Sequence, residues 1–197
     1  MIGRRVLCWD ISSDGFPHYV HLVCHALFWE MYHDPRPCSV ASPEHYRAAI
    51  AQAVRSGDLR YQPVYEKATH RSSGDYELAL WATAAHYELI RKNLDIYAFY
   101  SDGLVAGIGG QPLPKDMFYE RLRRLKTQSL GAVLTSRRAG WYQFSESMMR
   151  GYVRLRAEEK GVELPHDHTS EPNPKLPTVG APKLRPINVL SRARRWR

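Results

Sequence analysis

The sequence predicts a mainly α-helical protein that contains a winged helix-turn-helix with a β-hairpin wing. Three features of the stretch 113–155 support this fold class. Apolar residues recur at the spacing of one helix face, at Phe118, Leu122 and Leu125. Two short β-prone runs follow, 131–135 and 141–144. The basic turn 136–140 between them ends in a glycine, which suits the positive φ of a hairpin tip. A helix followed by a two-stranded hairpin with a cationic tip is the plan of a winged helix.

The first 70 residues are predicted to form a small all-helical unit after a short strand around 6–9. Pro17 suits the first turn of a helix, because the N–H that it lacks has no intrahelical partner there. The helix that follows is apolar nearly all round, which indicates burial on two sides. A second helix begins at Ser42, a good N-cap that is followed by a proline and an acid. A third, short helix is predicted around 61–69.

A polar hinge at 71–74 marks the predicted boundary between the helical unit, residues 1–70, and the winged-helix domain, residues 71–160. The second domain is predicted to begin with a helix through about Glu88 and a helix that is capped by Asn93 and runs through Leu104. A loop at 107–110 follows. The recognition helix, the wing and a closing helix over 145–160 complete the domain. Tyr87 and Leu94 are expected on the apolar faces of the first two helices.

The third predicted segment, residues 161–197, has a different composition. From residue 166 on it carries five of the chain's thirteen prolines, and it shows little periodicity. This composition is typical of disorder. The sequence therefore predicts a disordered, proline-rich tail with a basic end at 192–197.

Charge and composition limit the functional classes. The chain of 197 residues has a formal net charge of +8, which favours polyanionic partners. Its three cysteines are irregularly spaced, so neither a disulfide framework nor a zinc finger is predicted. No signal peptide and no membrane-spanning run is recognisable. We expect a soluble cytoplasmic protein without a membrane partner.

The winged helix predicts contacts with double-stranded DNA. A recognition helix fits the major groove, and cations on a wing meet the phosphate backbone or the minor groove. The candidate nucleic-acid-binding residues are Lys115, Tyr119, Arg121, Arg123, Gln128, Arg137 and Arg138. Asp116 and Glu120 weaken the positive field of the same helix. A winged helix that contacts protein instead of DNA therefore stays an open alternative.

No catalytic or metal site is assigned from the sequence. His18, His21 and His25 share a helix with Cys24, and histidines at i and i+4 can chelate a metal, but no further ligand is placed to complete a site. The chain contains no GxSxG, HExxH or GxxxxGK[ST] motif. We expect a non-enzymatic protein with no metal and no catalytic residues.

The order of these elements resembles a known architecture. The runs SDGFPHYVHLV, SPEHYRAAIAQAV and, at the end of the wing, GWYQFSESMMRGYVRL are similar in order to the C-terminal part of prokaryotic AAA+ ATPases of the STAND-like and origin-recognition-like kinds. In those proteins an ATPase core is followed by a helical lid and a winged helix. The resemblance covers residues 11–160. It implies that the helical unit is lid-like.

The resemblance also implies what the lid would contact. Gly15 and Pro17 match the positions at the start of the lid helix that lie against bound nucleotide, whereas His18 stands where origin-recognition relatives place an arginine sensor. The phosphate-binding loop and the acidic metal-binding strand have no counterpart among the residues before Gly15. ATP or ADP is therefore expected only if an ATPase core lies upstream or on a separate chain. An uncovered lid helix would expose an apolar patch: Phe16, Leu27, Phe28 and Trp29.

The leading hypothesis is a non-catalytic DNA-binding module that resembles the C-terminal part of an AAA+ ATPase. Two alternatives stay open. One is an interaction module that pairs with a separate ATPase core, another partner chain or a second copy of itself. The other is a fragment of an ATP-binding protein whose phosphate-binding loop lies upstream.

Overall fold

A computed structural model describes residues 16–36, 38–56, 60–70 and 74–165. They belong to one compact unit, Met1–Asp167. The described chain is mainly helical with a small three-stranded antiparallel sheet, in agreement with the predicted fold class at this level. The predicted strand at 6–9 and the tail beyond residue 165 lie outside the described residues.

The first three helices follow the sequence prediction closely. They are α1 (Pro17–Tyr32), α2 (Pro43–Ser56) and α3 (Tyr61–Thr69). Pro17 is the first residue of α1, and Ser42 caps α2 by accepting the His45 N–H on its Oγ at 3.2 Å. His45 reaches back, and its Nδ1 accepts the Ser42 N–H at 3.1 Å. This reciprocal pair is a capping box in which histidine replaces the usual glutamate or glutamine.

The fourth helix, α4 (Asp75–Ala84), ends earlier than predicted. The prediction extended it to Glu88 with Tyr87 on the core face, but Ala85 is extended and His86 has a positive φ of 62°. Tyr87 is consequently 54% exposed. The early end is stabilised by buried arginine side chains that bind the last carbonyl groups of the helix, as cations at a helix C-terminus do.

Three arginines provide these contacts, and each is at most 3% exposed: Arg91, Arg150 and Arg154. The Arg91 Nη1 donates to Ala82 O at 2.6 Å, and the Arg154 Nη1 donates to Ala84 O at 2.5 Å. Arg150 donates to the carbonyl groups of residues 84, 86 and 87. The end of α4 is therefore stabilised by one arginine close in the sequence, Arg91, and by two that are far away, Arg150 and Arg154.

The segment after α4 differs most from the prediction. It consists of β1 (Arg91–Lys92), α5 (Asn93–Ala98), a π-helical stretch (Phe99–Val105) and α6 (Ala106–Ile108). Asn93 was predicted as a cap, but it is the first helical residue, and no side-chain hydrogen bond caps this end. Leu94, predicted to be in the core, is 53% exposed. The predicted loop at 107–110 begins within α6.

Gly103 has a steric role in the π-helical stretch. A Cβ atom at this position would lie 2.9 Å from two ring carbons of Phe99, a distance too short for real contacts. The wide turn brings the Phe99 ring over residue 103, so only glycine fits without a shift of the ring.

The predicted helix and hairpin are present in the remaining part of the fold. The elements are α7 (Lys115–Arg124), a 3₁₀ turn (Gln128–Leu130), β2 (Leu134–Thr135), β3 (Trp141–Phe144) and α8 (Ser147–Glu159). The strand order is β1-β3-β2, and both pairings are antiparallel. Gly140 at the hairpin tip has the positive φ expected of it, 77°.

The core runs across the predicted boundary at residue 70. Buried residues from α1, α2 and α3 form one cluster with those of α4, α7, the sheet and α8. The Tyr19 hydroxyl donates to Met148 O at 2.8 Å, and the Tyr61 hydroxyl donates to Glu146 at 2.8 Å. The division into two domains at residue 70 stays a prediction. The residues on the two sides of this boundary share one hydrophobic core.

The described start of the predicted tail, residues 161–165, packs on the unit. Leu164 is only 7% exposed. The His86 N–H donates to Pro165 O at 2.9 Å, and the Arg154 Nη2 donates to Leu164 O at 3.3 Å. These contacts hold residue 86 in its left-handed conformation.

Candidate nucleic-acid interface

Helix α7 presents one buried and one exposed face. Phe118, Leu122 and Leu125 are fully buried, as the helical spacing predicted. This anchoring turns Lys115 and Arg123 to solvent, with Tyr119 half-buried between them. Three of the four predicted residues of this helix therefore share one side, as their four-residue spacing requires.

Arg121 is the exception among the predicted residues of α7. Its side chain is 19% exposed and lies 3.6 Å from the Asp75 carboxylate, from Nη2 to Oδ2. Its guanidinium carbon is 5.2 Å from the centroid of the Tyr76 ring. It packs against α4, away from the exposed side that Lys115 and Arg123 share, because residue 121 lies beside the buried stripe of the helix.

Glu120 reduces the positive charge of the exposed face. Its carboxylate lies 3.4 Å from Arg123 Nη2 and accepts a hydrogen bond from Arg124 Nε at 3.0 Å. The hydrogen bond to Glu120 raises the pKa of Arg124 further above its ordinary value. Both pairs are solvent-exposed, so they are weak and readily exchanged for another anion.

Tyr119 is positioned by neighbouring rings. It packs edge-on against Tyr97, with ring centroids 6.1 Å apart, and the Lys115 Nζ lies 5.8 Å from the Tyr119 ring centroid. Tyr97 in turn donates from its hydroxyl to Leu113 O at 3.1 Å. The first turn of α7 is thus held against α5 through a phenol ring, and its lysine stays at the surface.

The β2–β3 hairpin, which the sequence predicted to be a wing, presents Arg137 and Arg138 at its exposed tip. The Ser136 hydroxyl donates to Arg138 O at 2.8 Å, and the Trp141 N–H donates to the same oxygen at 3.0 Å. The Asn93 N–H donates to Gly140 O at 2.8 Å, which ties the tip to the start of α5. The backbone of the tip is therefore fixed, whereas its arginine side chains reach into solvent.

Lys92 is a cation of this surface that the sequence reasoning missed. It is the cross-strand partner of Trp141, and its Nζ lies 5.1 Å from the centroid of that ring. Arg138 lies 5.8 Å from the same centroid. The Lys126 Nζ lies 5.6 Å from the ring of the next residue, Tyr142. Only the long-range pairing of β1 with β3 reveals Lys92, because a two-residue strand has no periodicity to detect.

Three cations lie at the exposed side and tip of the hairpin, and we call them the basic wing surface: Lys92, Arg137 and Arg138. Lys126 is not included, because Tyr142 and Trp141 are successive strand residues whose side chains point to opposite faces of β3. Gln128, also predicted to bind nucleic acid, is exposed at the start of the 3₁₀ turn. The backbone carbonyl oxygen of Gln128 accepts a hydrogen bond from Lys67 Nζ at 2.9 Å. This contact places another lysine, from α3, beside Gln128.

The residues predicted to contact nucleotide are only partly described. Gly15 lies outside the described residues, and Pro17 is the exposed first residue of α1. The histidines of α1 are exposed, and His25 accepts a hydrogen bond from the Trp29 indole N–H at 3.0 Å.

An open cleft of about 660 Å³ lies at the C-terminal end of α4. Its lining includes His86 and Phe99 together with the carboxylates of Glu88, Asp95 and Asp102. An acidic rim repels a polyanion. We therefore place the candidate interface on α7 and the hairpin and not in this cleft.

Comparison with known proteins found no matching family model, no matching curated protein and no matching solved structure. Within the described residues, no helix combines the length and the apolar character needed to cross a membrane.

Proposed function

We propose that the chain is a non-catalytic protein that binds double-stranded DNA through a winged helix formed by α4 to β3. The order of elements supports this: helix, short strand, helix, helix and hairpin, with the first strand paired to the last. In such a fold the third helix, here α7, enters the major groove and the hairpin contacts the backbone.

The observation that carries the proposal is the gathering of cations on β3. Lys92 and Arg138 come from two separate segments, and each lies within 6 Å of the centroid of the Trp141 ring, with Arg137 next to Arg138 at the hairpin tip. Assembling like charges on one small surface costs free energy unless a polyanion neutralises them. Phosphates spaced along a duplex provide that neutralisation and release bound counterions.

Arg123 and Lys115 then lie on the groove side of α7. Glu120 competes with phosphate for Arg123 and Arg124, so we expect these arginines to contribute less than Arg137 and Arg138, which form no ion pair with any residue that the structure describes. We therefore assign most of the affinity to the basic wing surface, and we assign no base specificity.

The test is a fluorescence anisotropy titration with a labelled duplex of about 20 base pairs over a range of salt concentrations. The double substitution Arg137→Ala/Arg138→Ala should weaken binding and reduce the slope of log K against log salt by about 2. The matched control, Arg47→Ala/Arg55→Ala, removes the same charge from the surface of α2. Absence of duplex binding at low salt, or equal slopes in both double variants, contradicts the proposal.

A second candidate function, a protein-interaction module, is favoured by the exposed aromatic residues of α1. Phe28 and Tyr32 are 59% and 69% exposed, and Trp29 is 37% exposed. The rings of Phe28 and Tyr32 stack with centroids 6.1 Å apart. Leu27, expected in the same patch, is buried instead at 5% exposure, and Phe16 is partly buried.

We infer that this aromatic face would dock another chain, either an ATPase core, as the AAA+ resemblance implies, or a second copy. Sedimentation of the wild type and of Phe28→Ser/Tyr32→Ser at several concentrations tests the second copy. A monomer at all concentrations in both proteins would remove self-association from this candidate function.

A further inference from the structure

The loop between α1 and α2 gathers three side chains of the kinds that bind transition metals. The ligand atoms of Asp34, Cys38 and His45 all lie within 4.8 Å of one another, and the three residues are partly buried. Among the described residues, these three form the only such group with three or more members. We propose that they form a binding site for a divalent transition metal, with Zn²⁺ as the best match.

The fold fixes two of the three ligands before any metal binds. His45 is the third residue of α2, and its Nδ1 accepts the Ser42 N–H in the capping box. Its Nε2 therefore points at Asp34 Oδ2, 2.8 Å away. The other carboxylate oxygen, Asp34 Oδ1, accepts the Arg36 N–H at 2.8 Å. Carboxylate and imidazole are thus held together by backbone groups on both sides.

Cys38 is held less firmly. Its thiol donates to Met31 O over a distance of 3.6 Å, and a thiol is a weak hydrogen-bond donor. The sulfur therefore has room to approach the Asp34–His45 pair. It would complete a mixed set of one thiolate, one imidazole and one carboxylate.

This donor set selects the metal class. A thiolate is a poor ligand for Mg²⁺ or Ca²⁺, whereas Zn²⁺ and Co²⁺ accept sulfur, nitrogen and oxygen in one tetrahedral site. At metal–ligand distances of about 2.0–2.3 Å, tetrahedral ligand atoms lie about 3.3–3.8 Å apart. The Asp34 and His45 atoms, 2.8 Å apart, must move slightly apart, and all three ligand atoms already lie within 4.8 Å of one another. Three protein ligands leave the fourth position to water.

Metal binding changes the protonation of Cys38 and His45. Cys38 releases its thiol proton to solvent. The single ring proton of His45 moves by exchange with solvent from Nε2 to Nδ1, so the bound imidazole stays neutral. Nδ1 then faces the Ser42 N–H as a second donor, and that capping bond is lost. The loss of one neutral hydrogen bond is small beside the free energy of zinc coordination.

The alternative is that the Asp34–His45 hydrogen bond serves only to stabilise the start of α2. The two roles are separated by titrating the reduced full-length chain with Co²⁺, whose thiolate complexes absorb in the near ultraviolet and, when tetrahedral, in the visible. We expect one Co²⁺ per chain with a thiolate band, and its displacement by Zn²⁺.

Two ligand variants and one control make the test decisive. Cys38→Ser should remove the thiolate band. His45→Gln should weaken Co²⁺ binding at least tenfold, although glutamine at this position can keep the capping box. Cys24→Ser should change nothing, since Cys24 lies in α1 and is not one of the three clustered residues. A missing thiolate band in the wild type, a band that persists in Cys38→Ser, or equal affinity in His45→Gln overturns the proposal.

Discussion

Lys92 and Trp141 are cross-strand partners in β1 and β3, and the lysine Nζ lies 5.1 Å from the centroid of the indole ring. Arg138, at the tip of the hairpin, lies 5.8 Å from the same centroid. One aromatic side chain on the exposed face of the sheet thus organises cations from two segments. Each cation–π contact at such a site is worth about 0.5–1 kcal/mol.

The first prediction concerns Lys92. Lys92→Ala should weaken duplex binding and lower the slope of log K against log salt by about 1, because one phosphate contact is lost. Lys92→Arg keeps both the charge and the ring contact, so it should bind nearly as the wild type. Anisotropy titrations at several salt concentrations measure both effects. An unchanged slope in Lys92→Ala would remove this residue from the interface.

The second prediction separates two neighbouring arginines of α7. Arg121→Ala should lower the free energy of unfolding by about 1–2 kcal/mol, because the guanidinium packs on Tyr76 beside Asp75. Its duplex affinity, measured where the variant is folded, should stay close to that of the wild type. Arg123→Ala should do the reverse, with a stability change below about 0.5 kcal/mol and weaker binding.

Urea unfolding and anisotropy on both variants provide the measurements for this comparison. Arg123 is 61% exposed and Arg121 is 19% exposed at the side chain, so each serves as the control for the other. Weaker duplex binding in Arg121→Ala at unchanged stability would show that Arg121 contacts DNA, as the sequence predicted.

Local signals in the sequence were sufficient for part of this fold. Pro17 and Ser42 mark helix starts through the chemistry of the first turn, and Phe118 and Leu122 mark the buried face of α7 through helical spacing. Each of these features is decided within a few residues. The basic tip of the hairpin was visible for the same reason.

Features that depend on distant contacts were not predictable from these signals. The end of α4 at Ala84 depends on guanidinium groups of Arg150 and Arg154, and the role of Lys92 depends on the pairing of β1 with β3. The candidate metal ligand His45 resembled an ordinary helix residue until its ring was placed beside Asp34. Spacing along the chain contains none of this information.

The third prediction concerns the buried arginines at the end of α4. Arg154 donates to Ala84 O on one side and to Leu164 O on the other, and it is 3% exposed. Arg154→Leu should lower the free energy of unfolding by at least about 2 kcal/mol, because buried carbonyl groups lose a donor. Lysine should not rescue it, since one ammonium group cannot reproduce the planar fork that spans both sites.

Thermal and urea unfolding of Arg154→Leu and Arg154→Lys measure this effect. Arg137→Ala, which removes an exposed arginine, should change stability by less than about 0.5 kcal/mol and serves as the control. Full stability in Arg154→Lys would show that charge alone, and not the geometry of the guanidinium, stabilises the end of the helix.

The fourth prediction concerns Tyr65 and alkaline pH. Its hydroxyl donates to Glu77 Oε1 at 2.6 Å and accepts the Trp81 indole N–H at 3.1 Å, and the side chain is 2% exposed. Burial, and then the bond to the Glu77 carboxylate, raises the pKa of Tyr65 well above its ordinary value of 10.0. Lys160 Nζ lies 2.7 Å from Glu77, which keeps that carboxylate in place.

The sign of the pH effect follows from proton linkage. Above about pH 10 the unfolded chain loses the Tyr65 proton while the folded chain keeps it. This ionisation lowers the free energy of the unfolded state but not that of the folded state. The stability that Tyr65 contributes is therefore fully present below about pH 10 and falls as the pH rises further. The wild type should destabilise progressively in this range.

Tyr65→Phe separates this contribution from those of other buried tyrosines. At pH 8 it should be less stable than the wild type by about 1–3 kcal/mol, because Glu77 and Trp81 lose a buried partner. Between pH 9 and 11 the difference between the two proteins should shrink, since phenylalanine has no proton to lose. Urea unfolding at each pH measures it, with Tyr32→Phe, a change at a 69% exposed side chain, as the control. A difference that stays constant across this range would mean that Tyr65 ionises equally in both states.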